Sequence, residues 1–122
     1  MRFGKGGRPK YGNTKVVFQG AAFDSILERD RWLFLLDMER EGKITKLRRQ
    51  EHIALKGPDG STVCVVIPDF SYYHLAAGRV VREDTKGVLT DVFRVKAKLY
   101  RANFADDIHI VTKKTLTELP CG

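Results

Sequence analysis

Asp69, Asp84 and Lys86 are the residues of this chain whose types and spacing best suit joint chemistry. Asp69 stands between Pro68 and Phe70 in an otherwise apolar stretch, where a buried carboxylate without a partner is costly. Asp84 and Lys86 lie two apart in an extended segment, so their side chains leave one face while Glu83 and Thr85 leave the other. A hairpin turning at Ala76-Ala77-Gly78 lays Phe70–Leu75 beside Arg79–Lys86 and carries Asp69 up to Asp84 and Lys86. Adjacent carboxylates repel one another unless a divalent cation lies between them. Oxygen ligands without Cys or His suit magnesium or manganese rather than zinc. Such an ion activates water and polarises a phosphoryl oxygen, and a neighbouring lysine supports the attacking water. The same residues also describe a surface hairpin with a cross-strand ion pair, worth about 0–1 kcal/mol. The chemistry they would perform together is phosphodiester hydrolysis.

The elements that must position these groups are legible as pattern. Lys15–Phe18 and Ala21–Phe23 flank Gln19-Gly20 as a small hairpin. Ser25 followed by Glu28 is a capping-box spacing and predicts a helix from about Ser25 to Glu41, stopped by Gly42. Its apolar residues, among them Ile26, Leu27, Trp32, Leu33, Leu35, Leu36 and Met38, cover most of the wheel and predict a core helix covered on more than one side. Strands are expected over Leu47–Lys56, Ser61–Ile67, Phe70–Leu75 and Arg79–Lys86, with a turn at Gly57–Gly60. Thr90 caps a second helix whose Val92, Val95, Leu99 and Ala102 form an apolar stripe, and Ile108–Val111 is a short buried strand. The expected architecture is α/β, with one mixed sheet flanked by helices.

Composition is consistent with that reading. The 122 residues carry 22 Lys plus Arg against 15 Asp plus Glu, a formal charge of +7 that favours a polyanionic partner. Residues 1–14 hold several cations and glycines and no acid, and read as a basic flexible arm ahead of a single domain over 15–122. Such an arm serves either phosphate contact or solubility. No apolar run approaches the ~20 residues of a membrane span, and no apolar stretch follows the basic start as in a secretory signal. Cys64 and Cys121 give no disulfide framework, and with three scattered histidines they offer no zinc spacing, so a cytoplasmic setting is expected.

Pro68-Asp69 followed by Asp84-Thr85-Lys86 resembles the signature of the PD-(D/E)xK, or restriction-endonuclease-like, nuclease superfamily. The order helix, three strands, helix, strand resembles its αβββαβ core. Phe23–Glu28, Ile67–Phe70, Asp84–Gly87 and Lys10-Tyr11-Gly12-Asn13 together are similar to phage-encoded Holliday junction resolvases of the endonuclease I kind. The resemblance spans about residues 10–111. It implies a magnesium-dependent endodeoxyribonuclease, with manganese as substitute, acting on branched DNA as a homodimer in the cytoplasm of a phage host. It implies Asp69, Asp84, the Thr85 backbone carbonyl and Glu28 as metal ligands and Lys86 as the catalytic lysine. Glu28 equally fits a purely local capping role. Asp84 stands where the resolvases have a glutamate, a departure the superfamily pattern permits. The alternatives are a non-catalytic DNA-binding module on the same fold, or a nuclease acting on linear or nicked DNA.

Candidate phosphate contacts are Arg8, Lys10 and Lys15 on the arm, Arg48, Arg49 and Lys113 on the body, and Arg94, Lys98 and Arg101 along one face of the second helix. A solvated helix face has the same appearance. His52, His74 and His109 lack a partner at catalytic spacing and read as structural, as does Cys64; Trp32, Tyr72, Tyr73 and Tyr100 either stack on bases or, as is usual in a small domain, belong to the core. Gln50 is either a strand-edge residue or a neighbour of the acids.

Overall fold

A computed structural model describes residues 15–85 and 89–120. The chain is mixed α/β. Strands β1 (Val16–Phe18) and β2 (Ala21–Phe23) form the expected hairpin. Its two-residue loop, Gln19-Gly20, has positive φ at both positions, the geometry that matches the twist of paired strands. Helix α1 (Ile26–Arg40) begins on Ser25, whose hydroxyl accepts from the Glu28 N–H, and ends at Glu41 ahead of left-handed Gly42. Strands β3 (Ile44–Arg49), β6 (Phe70–His74), β7 (Arg79–Thr85) and β8 (His109–Val111) make the main sheet in the order β3-β6-β7-β8. The first three run antiparallel, and β8 joins β7 in parallel after helix α2 (Asp91–Phe104).

Among the described residues, strands β4 (Ile53–Lys56) and β5 (Thr62–Val66) pair only with each other, so the expected single sheet is in fact a four-stranded sheet and two separate hairpins. The strand anticipated over Leu47–Lys56 is broken for a backbone reason. Gln50 takes φ +53°, and its N–H donates to the Asp69 carbonyl, which turns the chain out of the sheet. A bulge between Thr45 and Arg48, with Lys46 at φ +57°, resets which side chains of β3 face each way.

Helix α1 covers one face of the sheet. Phe23, Leu35, Ile44, Phe70, Tyr72 and Val81 form the core there, with Trp32 stacked on Phe70 at 5.6 Å. The expectation of a helix buried on several sides is corrected. Only Glu28, Arg31 and Leu35 are buried, at i, i+3 and i+7, while Ile26 is exposed and most other apolar residues are half-buried. The buried stripe is charged because Arg31 meets Glu83 in a bidentate pair at 2.6 and 2.9 Å. Tyr72 Oη donates to Glu83 at 2.8 Å, and Arg31 Nη1 donates to the carbonyls of Thr115, Leu116 and Glu118. This network ties α1, β6, β7 and the C-terminal segment together.

The other face is covered by α2 and the β4–β5 hairpin, around Ile53, Leu55, Val66, Phe93, Tyr100 and Ile108. Thr90 caps α2 as expected, its hydroxyl accepting from the Phe93 N–H. The predicted stripe is not the buried one: Val92 and Val95 are 55% and 67% exposed, and Phe93 and Tyr100 face the core. The helix is rotated by about one residue because two aromatic rings bury more apolar area than two valines. Val92, Val95 and Leu99 instead line an apolar groove with Val63 and Cys64.

Candidate functional site

Strands β6 and β7 pair with Phe70 opposite Glu83 and Ser71 opposite Arg82, so the next register position sets Asp69 against Asp84. The contact is direct. The Asp69 N–H donates to Asp84 Oδ1 at 3.3 Å, and both residues are buried, Asp84 completely. Asp69 Oδ2 in turn accepts from the Thr85 N–H at 2.9 Å and from its hydroxyl at 2.8 Å. Gln50 closes the same corner through its backbone bond to the Asp69 carbonyl.

Glu28 joins from the first turn of α1. Its Oε2 accepts from the Asp24 N–H at 2.6 Å, and its side chain also hydrogen-bonds Asp69. It therefore serves the helix start and meets the aspartate at once. Burial pushes the Asp69 carboxyl up, and the hydrogen bonds with Glu28 and Thr85 are among the interactions that bring it, on balance, below the ordinary carboxylate value. The three acids supply hard oxygen donors, a set suited to magnesium or manganese. Among the described residues, no three His, Cys, Asp or Glu side chains stand preassembled as a ligating cluster.

Lys86, expected two residues beyond Asp84, lies outside the described residues, as do Arg8 and Lys10. Glu83 is excluded from this corner by strand alternation. It points to the opposite face, into the pair with Arg31. Thr85, expected as a carbonyl ligand, also contributes two donors to Asp69, a role its position in the sequence did not suggest.

The candidate phosphate contacts divide. The Arg49 guanidinium lies 4.0 Å from the Phe23 ring centre and 5.7 Å from that of Trp32, and donates to the Ala22 carbonyl, so it clamps the β1–β2 hairpin. Arg48 is exposed and pairs with Glu51. Lys15, Arg94, Lys98, Arg101 and Lys113 are all exposed, with Arg94 paired to Asp91 and Arg101 to Asp107. Tyr72 is buried in the core, as its structural reading expects, whereas Arg31 and Glu51 were not anticipated. A charged residue on the apolar side of a helix wheel is the only sequence signal that marks Arg31. No helix among the described residues is long and apolar enough to cross a membrane.

A family model described as "Protein of unknown function (DUF1064)" matches residues 8–117, and the chain belongs to that family. No curated protein and no solved structure shows significant similarity to it.

Proposed function

We propose that this DUF1064 protein is a metal-dependent DNA endonuclease built on a restriction-endonuclease-like core. The observation that carries the reading is the buried corner where Asp69 and Asp84 abut and the Glu28 carboxyl meets Asp69. Around the main sheet, with the β4–β5 hairpin set aside, the element order is α1, β3, β6, β7, α2, β8, which suits that core. Buried acids in contact are costly unless a cation or proton offsets them, and a hard divalent ion is the partner their donors suit.

When bound, that ion supplies a water of lowered pKa and polarises a phosphoryl oxygen. Asp69 and Asp84, at two strand ends, and Glu28, on the first turn of the helix, would hold it. Thr85 fixes the Asp69 carboxylate through two donors to Oδ2. Lys86 is assigned the support of the attacking water. The water oxygen would bond to phosphorus in line as the bond to the leaving oxygen breaks, the water releasing a proton to solvent and the leaving oxygen taking one up from it, with no covalent enzyme intermediate.

Branched DNA is the preferred substrate class, on the motif resemblance, and paired nicks across a junction call for two sites and hence a homodimer acting in the cytoplasm. The test is cleavage of a labelled four-way junction and a matched linear duplex, with magnesium, manganese or chelator, by wild type and Asp69→Asn. Paired junction nicks that vanish with chelator and with the substitution support the reading. Equal cutting of both substrates removes the branch preference, and tight binding without cutting leaves a binding module.

A further inference from the structure

The described residues cover only part of the sheet face that carries Asp84. Strand alternation places Val80, Arg82 and Asp84 of β7 on that face, with Ser71 and Tyr73 of β6 beside them. The β3 bulge brings Arg48 opposite Ser71 on the same side. Helix α2 and the β4–β5 hairpin shelter the β7 and β8 end, and a cleft of about 150 Å³ remains over β3 and β6. Among the described residues its lining carries three cations, Lys46, Arg48 and Arg82, and a single acid, Glu51.

Glu51 bridges the two arginines. Its Oε1 faces Arg82 Nε at 3.4 Å and its Oε2 faces Arg48 Nη1 at 3.2 Å. Both are long for charge-assisted bonds, which run about 2.7–2.9 Å. Arg82 is held independently of Glu51, by a 3.2 Å bond to Tyr100 Oη and by packing over the Phe104 ring at 5.0 Å. Its guanidinium is thus set in place for an anion, and the carboxylate now opposite it is weakly attached.

We infer that this cleft is a phosphate subsite for a DNA strand, and that Glu51 is the internal anion a DNA phosphate displaces. The inference rests on the nucleic-acid reading above but not on catalysis. Arg82 and Asp84 are two residues apart on one strand, about 7 Å. A phosphate held by Arg48 and Arg82 therefore lies beside the acid pair on the same face of the sheet, and registers the strand across it.

The experiment is binding of a short fluorescent DNA duplex, measured by anisotropy across a salt series in chelator, so that no cleavage contributes. Glu51→Gln keeps the side chain's shape, removes its charge, and tightens binding by at least about threefold. Arg48→Ala weakens binding and flattens the salt dependence by about one phosphate contact, roughly 0.9 in the logarithmic slope. Thermal unfolding of both variants shows whether they remain folded. Unchanged affinity in the folded variants overturns the subsite, and loss with Arg48→Ala but no gain with Glu51→Gln overturns the role of Glu51. Failure of the nuclease reading is seen separately, as absence of Asp69-dependent cleavage with magnesium, and leaves these binding shifts in force.

Discussion

At the scale of single residues, charge burial carries the account. Arg31 and Glu83 are both completely buried, and each satisfies the other with two bonds. Removing one partner strands a charge, so Glu83→Gln or Arg31→Met is expected to cost about 3–5 kcal/mol in chemical denaturation. The paired change Arg31→Met with Glu83→Leu is expected to cost less than the sum. Glu28 makes the opposite case. Glu28→Gln retains an oxygen for the Asp24 N–H, so stability is expected to change by no more than about 1 kcal/mol while metal-dependent cleavage is lost. Loss of stability with cleavage retained identifies Glu28 as a cap alone. His109 gives the pH signal. Burial is the main force pushing its pKa below 6.5; Arg31 and Arg79 push the same way, and Glu83 opposes them. The folded form therefore keeps it neutral, the unfolded chain takes up its proton first, and stability falls as pH drops below 6.5 toward the lowered value. The expected reading is a thermal midpoint that declines with pH over that window and declines less in His109→Gln.

At the scale of elements, caps and turns were legible, and the choice of buried face was not. Ser25, Gly42 and Thr90 act through local backbone bonds, which spacing alone exposes, and all three sit at the helix ends expected of them. Ser25→Ala is accordingly expected to cost about 1 kcal/mol. The hairpin through Ala76–Gly78 was equally legible, and with it the meeting of Asp69 and Asp84, because a short turn dictates register. The buried face of α2 depended on a tertiary contest between Phe93 with Tyr100 and Val92 with Val95, which periodicity scores alike. The burial of Arg31 was hidden for a related reason, since its partner lies 52 residues away. The break at Gln50 required a left-handed non-glycine residue stabilised from a distant strand, and no local pattern announces that.

At the scale of the whole molecule, two layers divide the labour. Helix α1 and its buried ion pair hold one face of the main sheet, while the opposite face carries the acid corner and the cationic cleft. The net charge of +7 favours a polyanion and makes association salt-dependent. The central claim is that the Asp69–Asp84 corner hydrolyses a phosphodiester, and it is tested most directly by the magnesium-dependent rate of junction cleavage in Asp84→Asn. The same preparation is to be assayed for junction binding in chelator. The account predicts a rate lowered by at least about a hundredfold, some 2.7 kcal/mol of barrier, with binding retained. Cleavage by Asp84→Asn at the wild-type rate, or wild-type protein that binds the junction and cuts it with no divalent ion tested, would contradict it.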